Sequence, residues 1–358
     1  MDISNNIKQK LDFDSSVYQQ ISQQLSVVDS FKGNWMAIEG QKSKYLKELR
    51  KIATIESIGS STRIEGATLT DKEVEKLLKS VKITKLQSRD EQEVVGYYEA
   101  LELILENYQD IDVQERYIHQ LHRILLKYSE KDHAHMGKNK NLSNQVVANY
   151  PDGTQRTIFR TPEPHLTPGE MQQLITWLND RLGQQDLHPL MITATFVYEF
   201  LSIHPYQDGN GRLSRLLTTL LLMKQEYGFI CYVSFENVIE AKKEAYYRAL
   251  MDGQKNRQKE TERIDRWILF FLECLIELTR RLEVKYETYN KLATVLNDRQ
   301  QAVMAYFREK KTAQVGEIEQ QLKNYSRNTL KKDLAMLVEE GLLLKTGAGR
   351  GVRYHIVE

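Results

Sequence analysis

Twelve consecutive residues, His204-Pro205-Tyr206-Gln207-Asp208-Gly209-Asn210-Gly211-Arg212-Leu213-Ser214-Arg215, bring a base, an acid, two glycines and two arginines together. A histidine titrates near neutrality and can take the proton of a hydroxyl. An aspartate four positions on is the kind of ligand that holds Mg²⁺ through one or two carboxylate oxygens while phosphates supply the rest. Gly209 and Gly211 let backbone N–H groups approach phosphate oxygens, and Asn210 can donate beside them. Arg212 and Arg215, at i and i+3, offer forked donors from one helix face. The combination describes phosphoryl or nucleotidyl transfer, in which positioning and charge neutralisation carry most of the catalysis. A turn whose Asp and Asn merely cap a helix would need neither the histidine nor the arginines in register.

These residues need elements to hold them. Residues 189–203 are apolar on nearly every face (Leu190, Ala194, Phe196, Val197, Phe200, Leu201), the pattern of a central buried helix that delivers His204 to the edge of a pocket. After Arg215 a second apolar helix runs through Leu216, Leu217, Leu220, Leu221 and Met223 to Gly228. A loop that restarts a helix with arginines facing it is an anion site on a helix N-terminus. Upstream, residues up to about 115 read as helices. Ser57-Ile58-Gly59-Ser60-Ser61-Thr62-Arg63-Ile64-Glu65-Gly66 ends one of them, with Gly66 suited to the position after the last turn. Serine is a mediocre helix former, so a serine-rich helix end ahead of one glutamate invites a close neighbour. Thr70-Asp71-Lys72-Glu73 has capping-box spacing and starts the next helix, with Val74, Leu77 and Leu78 as its stripe.

From Val113 to Lys127 a helix carries Ile118, Leu121, Ile124 and Leu125, with His119 and His122 on adjacent faces. His133 and His135 follow, but no acidic or cysteine ligand shares a metal-site spacing with these four, and they read as packed or solvated. Between Gly137 and His165 the helical period disappears. Residues 144–149 and 154–160, around Tyr150-Pro151-Asp152-Gly153, read as a short hairpin or as a surface loop; an exposed hairpin edge could pair with an extended peptide. Thr167-Pro168-Gly169-Glu170 reads as N-cap, N1 proline and N3 glutamate of a further helix.

The chain has 358 residues, 41% of them hydrophobic, a net charge of +1 and six prolines, which bounds it as a globular, mainly helical protein of two or three domains. So small a net charge argues neither for nor against nucleic acid or membranes. Cys231 and Cys274 sit among apolar residues and read as reduced core thiols. No apolar run reaches the roughly 20 residues of a membrane helix, and residues 1–25 lack a secretory apolar region, so a cytoplasmic location is expected. From about Asp298 the texture changes. Three short helices (Val303, Met304 and Phe307; Val315, Ile318 and Leu322; 326–340) precede two alternating strands at 342–345 and 352–357, the outline of a winged helix. Residues 299–358 hold eleven Lys and Arg against seven Asp and Glu, a net of +4, with Arg327, Lys331 and Lys332 on the third helix and Arg350 and Arg353 in the hairpin. That is a moderate basic footprint for DNA, although winged helices also dimerise and dock proteins.

The run from His204 to Arg215 resembles the signature of the Fic family of protein adenylyltransferases. The resemblance spans roughly residues 110–255 and implies transfer of AMP from ATP to a Ser, Thr or Tyr hydroxyl of a target protein, with pyrophosphate leaving. By the family pattern His204 deprotonates the hydroxyl and Asp208 holds Mg²⁺. Gly209, Asn210 and Gly211 cradle the α- and β-phosphates, and Arg212 and Arg215 serve the outer ones. Tyr247 falls where the family packs an aromatic near adenine, and Gln254 where related enzymes often have Asn. Ser61 to Gly66 resembles the family's inhibitory helix, which implies that Glu65 pairs with Arg215 and takes the γ-phosphate place. The segment from Asn144 to Arg160, with Asn144, Val146, Thr157 and Ile158 as its docking positions, corresponds to the flap that aligns target peptides. Two departures stand out. Tyr206 replaces the usual Phe and adds a hydroxyl that needs a partner, and the Gly-x-aromatic-Arg before the flap reads Gly137-Lys138-Asn139-Lys140.

The expected architecture is therefore mainly all-α: an N-terminal helical region (1–110) with an inhibitory helix around 57–66, a Fic-type core with a hairpin flap (111–255), connecting helices (256–297) and a winged helix (298–358). The expected partners are ATP with Mg²⁺, a target protein that could be the chain itself, and DNA as a candidate for residues 298–358. A homodimer is a candidate assembly, and no membrane partner is expected. Two other activities compete: removal of AMP by water at the same site, and DNA-bound regulation with the core as a sensor. Gly209 and Gly211 argue against a phosphotransferase branch of the fold that carries Ala and Lys in their place.

Overall fold

The structure, a computed structural model, describes residues 3–39, 44–80, 86–149, 155–257, 259–347 and 349–357. The expected turn Tyr150-Pro151-Asp152-Gly153, with Thr154, lies outside them. The chain divides into two compact units, 1–282 and 283–358.

The helices of the first unit are α1 (Ile3–Lys10), α2 (Ser15–Glu39), α3 (Lys44–Ile64), α4 (Asp71–Ser80), α5 (Arg89–Asn107), α6 (Glu115–Leu125), α7 (Thr167–Gln184), α8 (Pro189–Ile203), α9 (Asn210–Lys224), α10 (Phe235–Ala241) and α11 (Lys243–Gln254), with α12 (Asp265–Val295) running on from it. One antiparallel hairpin, β1 (Gln145–Asn149) with β2 (Gln155–Arg160), interrupts them. The centre is α8 against α9. Every residue of α8 from Leu190 to Ile203 is buried, as its all-round apolar sequence requires, and Pro189 opens it at a position that needs no N–H. In α9 only Gly211 and Lys224 escape full burial. Helix α7 flanks α8, α5 flanks α9, and α3 packs on α5, α9 and α10. The Trp267 indole N–H donates to the Ala194 carbonyl (2.7 Å), fixing α12 on α8. Buried Lys10 lies 2.5 Å from Glu199 and 3.1 Å from Glu262, and Arg257 lies 2.8 Å from Glu199, so two cations and two carboxylates tie α1 to the middle of α8.

The end of α3 is built as its glycine suggests. Gly66 adopts φ +109°, Ala67 N–H donates to Thr62 O (3.1 Å) and Gly66 N–H to Arg63 O (3.0 Å), the paired bonds of a Schellman stop. Helix α4 starts on its capping box, Thr70 N–H donating to Glu73 (2.8 Å) and Glu73 N–H to the Thr70 hydroxyl (3.4 Å). Helix α7 differs from expectation. Thr167 is already helical (φ −54°, ψ −47°) because a 3₁₀ turn at Pro164–Leu166 precedes it; Leu166 takes the cap position and the Thr167 hydroxyl points back at the Glu163 carbonyl (3.5 Å). Cys231 is also only partly buried, whereas Cys274 is in the core, and both are free.

The second unit holds α13 (Asp298–Lys310), β3 (Thr312–Ala313), α14 (Val315–Gln321), α15 (Arg327–Glu339), β4 (Leu343–Thr346) and β5 (Arg353–Ile356). Its sheet order β3-β5-β4 adds a strand that the alternation pattern did not show, because two residues are too few to alternate. Val303, Phe307, Ile318, Leu330, Leu334 and Leu343 are among its buried core.

Candidate active site

Helix α8 ends at His204, which stands in the left-handed region (φ 52°, ψ 61°) and so turns the chain sharply into the loop. Its Nδ1 lies 3.3 Å from the Leu201 carbonyl. A carbonyl only accepts, so Nδ1 carries the proton and the Nε2 lone pair is left to receive one. Burial pushes the imidazole down to about 4, and the Lys140 charge acts in the same direction against the Leu201 bond, so the ring is neutral at pH 7.

The loop is braced from within and from α6. Asn210, expected to donate to phosphate, spends its amide on the loop: Tyr206 N–H donates to its Oδ1 (2.9 Å) and its Nδ2 donates to Tyr206 O (2.7 Å). His122 stacks on the Tyr206 ring, centroids 3.7 Å apart. Gly137 N–H donates to His122 Nδ1 (2.8 Å) and His122 Nε2–H donates to the Asp208 carbonyl (2.9 Å). Burial holds His122 down at about 4, the neutral form this pair of bonds requires. The extra hydroxyl of Tyr206 finds its partner in His119 Nδ1 (2.7 Å). The two histidines that read as packed are thus supports of the loop.

Lys140 was visible only as a departure from the family pattern, and it is 3% exposed. Its ammonium donates to Ile203 O (3.0 Å), Asn144 Oδ1 (3.0 Å) and Thr161 Oγ1 (2.8 Å), while its N–H donates to Pro205 O (2.7 Å). One side chain thereby joins the residue before His204 to the base of the hairpin. Asn144 also donates to Tyr206 O (2.8 Å), so it anchors the hairpin to the loop. Val146 is buried, Thr157 is exposed, and Ile158 is the extra residue of a bulge, since Val146 pairs with Phe159 and Val147 with Thr157.

Helix α9 begins beyond Gly209, which has φ +80°. Its first-turn amides have no partner within the helix, which makes this end attractive to anions. Asp208 receives the Gly209 N–H (2.6 Å) on Oδ1, with Arg212 3.4 Å from the same oxygen and Arg89 3.6 Å from Oδ2. Burial raises this carboxyl, but Arg212, the Gly209 amide and Arg89 outweigh it and hold it below its usual value. The two arginines diverge. Arg212 is 1% exposed and sits 3.2 Å from Glu93 of α5, an ion pair that no spacing in the sequence disclosed. Arg215 turns to α3: its Nε donates to Ser61 Oγ (2.8 Å) and its Nη2 to Ser61 O (2.9 Å) and Glu65 Oε1 (2.7 Å). A Cβ on Gly211 would overlap that same Glu65 oxygen. The Glu65 carboxylate therefore lies over the first turn of α9, where an anionic ligand would sit.

The end of α3 is clamped in turn. Arg63 donates to both oxygens of Glu240 (2.7 and 2.9 Å) and to Asp71 (2.9 Å), and Lys243 donates to Ile64 O (2.8 Å). Tyr247 is buried edge-on to Tyr246 on α11, which packs against β2. Gln254, expected at the base, has its amide nitrogen held by Tyr198 (2.9 Å) and Ser202 (2.6 Å) of α8, leaving only its oxygen to contact a ligand.

Residues 111–222 match the model of the Fic/DOC family, and residues 299–352 match a DeoR-like helix-turn-helix domain. The stretch holding the His204 loop is thus similar to a Fic domain. A protein adenylyltransferase Fic from Drosophila sechellia is 31% identical over 209 residues, which cover 57% of this chain and 39% of that protein. The chain thus spans about two fifths of the length of the curated relatives it matches. The fold is shared with a Fic family protein from Desulfovibrio desulfuricans (TM-score 0.63, 22% identity, 97% of this chain and 98% of the other). A Fic-domain signaling protein from Bacteroides thetaiotaomicron is also similar (TM-score 0.56, 25% identity, 73% of this chain and 94% of the other). The His204 loop, α8 and α9 as far as Leu222 fall within the Fic match, whereas Ser61 of α3 and Glu65 just beyond it precede the match. Among the described residues no helix is long and apolar enough to cross a membrane.

Proposed function

We propose that the protein is an adenylyltransferase that moves AMP from ATP to a Ser, Thr or Tyr hydroxyl of a protein, and that Glu65 restrains it. The observation that carries this reading is the Glu65 carboxylate on Arg215 and over the first turn of α9, an intramolecular anion beside a neutral base. In the reaction the hydroxyl oxygen attacks the α-phosphorus, the bond to the β-phosphate oxygen breaks, pyrophosphate departs, and the hydroxyl proton passes to His204 Nε2. The α9 amides and Arg215 would meet phosphate oxygens, and β1 and β2 would align the segment carrying the hydroxyl. Asp208 suits Mg²⁺: among the described residues Oδ2 has only Arg89 nearby, at 3.6 Å, its side chain is 31% exposed, and the ion commonly takes one or two carboxylates with phosphates and water. When bound, Mg²⁺ would neutralise charge between the phosphates.

Glu65 competes with phosphate for one guanidinium. A charge-assisted hydrogen bond contributes about 1.5–3 kcal/mol, so its loss should raise AMP transfer roughly ten- to a hundredfold. Glu65→Gly with ATP labelled at the α-phosphate and Mg²⁺ is expected to incorporate label into protein at least tenfold faster than wild type, and His204→Ala in the same background to abolish it. Equal rates in wild type and Glu65→Gly would discard the restraint. Label leaving modified protein faster in the presence of Glu65 would favour the hydrolytic reading.

A second reading applies to the second unit. The start of α15 exposes Arg327, Asn328, Lys331 and Lys332, and together with the helix-turn-helix match this favours duplex DNA as its partner.

A further inference from the structure

A cavity of about 690 Å³ opens between α3, α4 and α5 and shares no residue with the His204 loop. That volume is in the usual range for small-molecule sites. Its floor is apolar and aromatic: Ile55 of α3, Leu78 of α4, and Tyr98 and Leu105 of α5. Its walls are polarised. Helix α3 contributes Lys47, Arg50 and Lys51, three cations on one face, and α5 contributes Glu102 and Glu106, one turn apart. On α4, Glu75 is engaged by Lys79 (2.8 Å) and Lys51 (3.6 Å). Among the described residues Lys47 has no ion pair. Burial pushes the Glu102 carboxyl up, with Arg50 opposing and Glu106 reinforcing, the signature of a carboxylate short of solvent.

Two of the three walls reach the catalytic loop at another point along the helix, and the third is tied to the end of α3. Helix α3 ends on Arg215 through Ser61 and Glu65, α5 holds Arg212 through Glu93, and the first residue of α4, Asp71, holds Arg63. From Ile55 to Glu65 is ten residues, about 15 Å of helix. The cavity has its present shape in the arrangement that places Glu65 on Arg215, and a ligand that fits it favours that arrangement.

We propose that this cavity binds an amphipathic zwitterion, with its anionic group against α3, its cationic group against α5 and an apolar body on the floor, and that occupancy holds Glu65 on Arg215. The chemistry is that of a short apolar peptide with free ends. The coupling half rests on Glu65 as a restraint; the binding half does not.

Calorimetry with the full chain tests both halves without any nucleotide. The probe is the dipeptide Leu-Trp with free termini, beside its N-acetylated form, which lacks the cation, and its C-amidated form, which lacks the anion. Saturable binding of the free dipeptide is expected, with each capped form at least tenfold weaker. Arg50→Gln should erase the preference for the free carboxylate, and Glu102→Gln the preference for the free amine. Absence of saturable binding, or equal affinity for the three forms, overturns the site. By linkage, Glu65→Gly should weaken the free dipeptide about fivefold or more. Equal affinity in wild type and Glu65→Gly overturns the coupling. Because no AMP transfer is read, failure of the adenylyltransferase reading would leave these titrations interpretable.

Discussion

His204 and His122 are both held near 4 by burial, well below the ordinary 6.5. Between those values the unfolded chain binds protons that the folded chain refuses, so stability rises with pH across the window and is lost as pH falls from about 6.5 toward 4. Melting temperatures at pH 7, 6 and 5 should therefore decline, and His122→Asn should flatten the decline; a melting temperature independent of pH would contradict the buried neutral pair. The roles of single residues were unevenly legible. The His204–Arg215 run pointed to an anion site because its residue types have few other uses together. The partners of those residues did not show: Glu93 and Lys140 are ordinary charged residues in sequence, and only the packing of α5 and of the hairpin base brings them to Arg212 and Ile203. Asn210 misled because an amide can serve ligand or backbone equally well, and here both of its atoms close the loop on Tyr206.

At the scale of elements, Lys140 ties the base of the hairpin to the end of α8. Burial lowers this ammonium to about 8, so it remains largely charged at pH 7 and keeps its three acceptors. Lys140→Met should cut AMP transfer to protein about tenfold or more, since misplacing a reacting group by 1 Å can cost on the order of a hundredfold. ATP affinity should hold and Lys140→Arg should restore most of the rate; equal loss in both variants would point to simple misfolding of the region. Helices α8 and α9 were readable because an all-round apolar run of fifteen residues has one stable home, the centre of the helical layer. The start of α7 was not, since the 3₁₀ turn ahead of Thr167 is a choice made by the surrounding chain. Strand β3 exists only because β5 offers it an edge.

For the whole molecule, the exposed cations at the start of α15 predict salt-sensitive binding of the full chain to duplex DNA. Replacing Arg327, Lys331 and Lys332 by Gln should weaken it and reduce the slope of log affinity against log salt by roughly one for each phosphate no longer neutralised. Binding that is unchanged by these substitutions, or absent at low salt, would assign the second unit to protein partners instead. The left-handed backbone of His204 has a further consequence for the stability of the entire fold. A side chain there costs about 1 kcal/mol or more that glycine avoids, and the buried imidazole adds a penalty below neutral pH. His204→Gly should accordingly raise the melting temperature at pH 5 while eliminating turnover; a lower melting temperature would show that imidazole packing outweighs both costs. In lineages released from selection for catalysis, drift toward glycine at position 204 would be downhill, so retention of histidine there would itself register continuing use of the base.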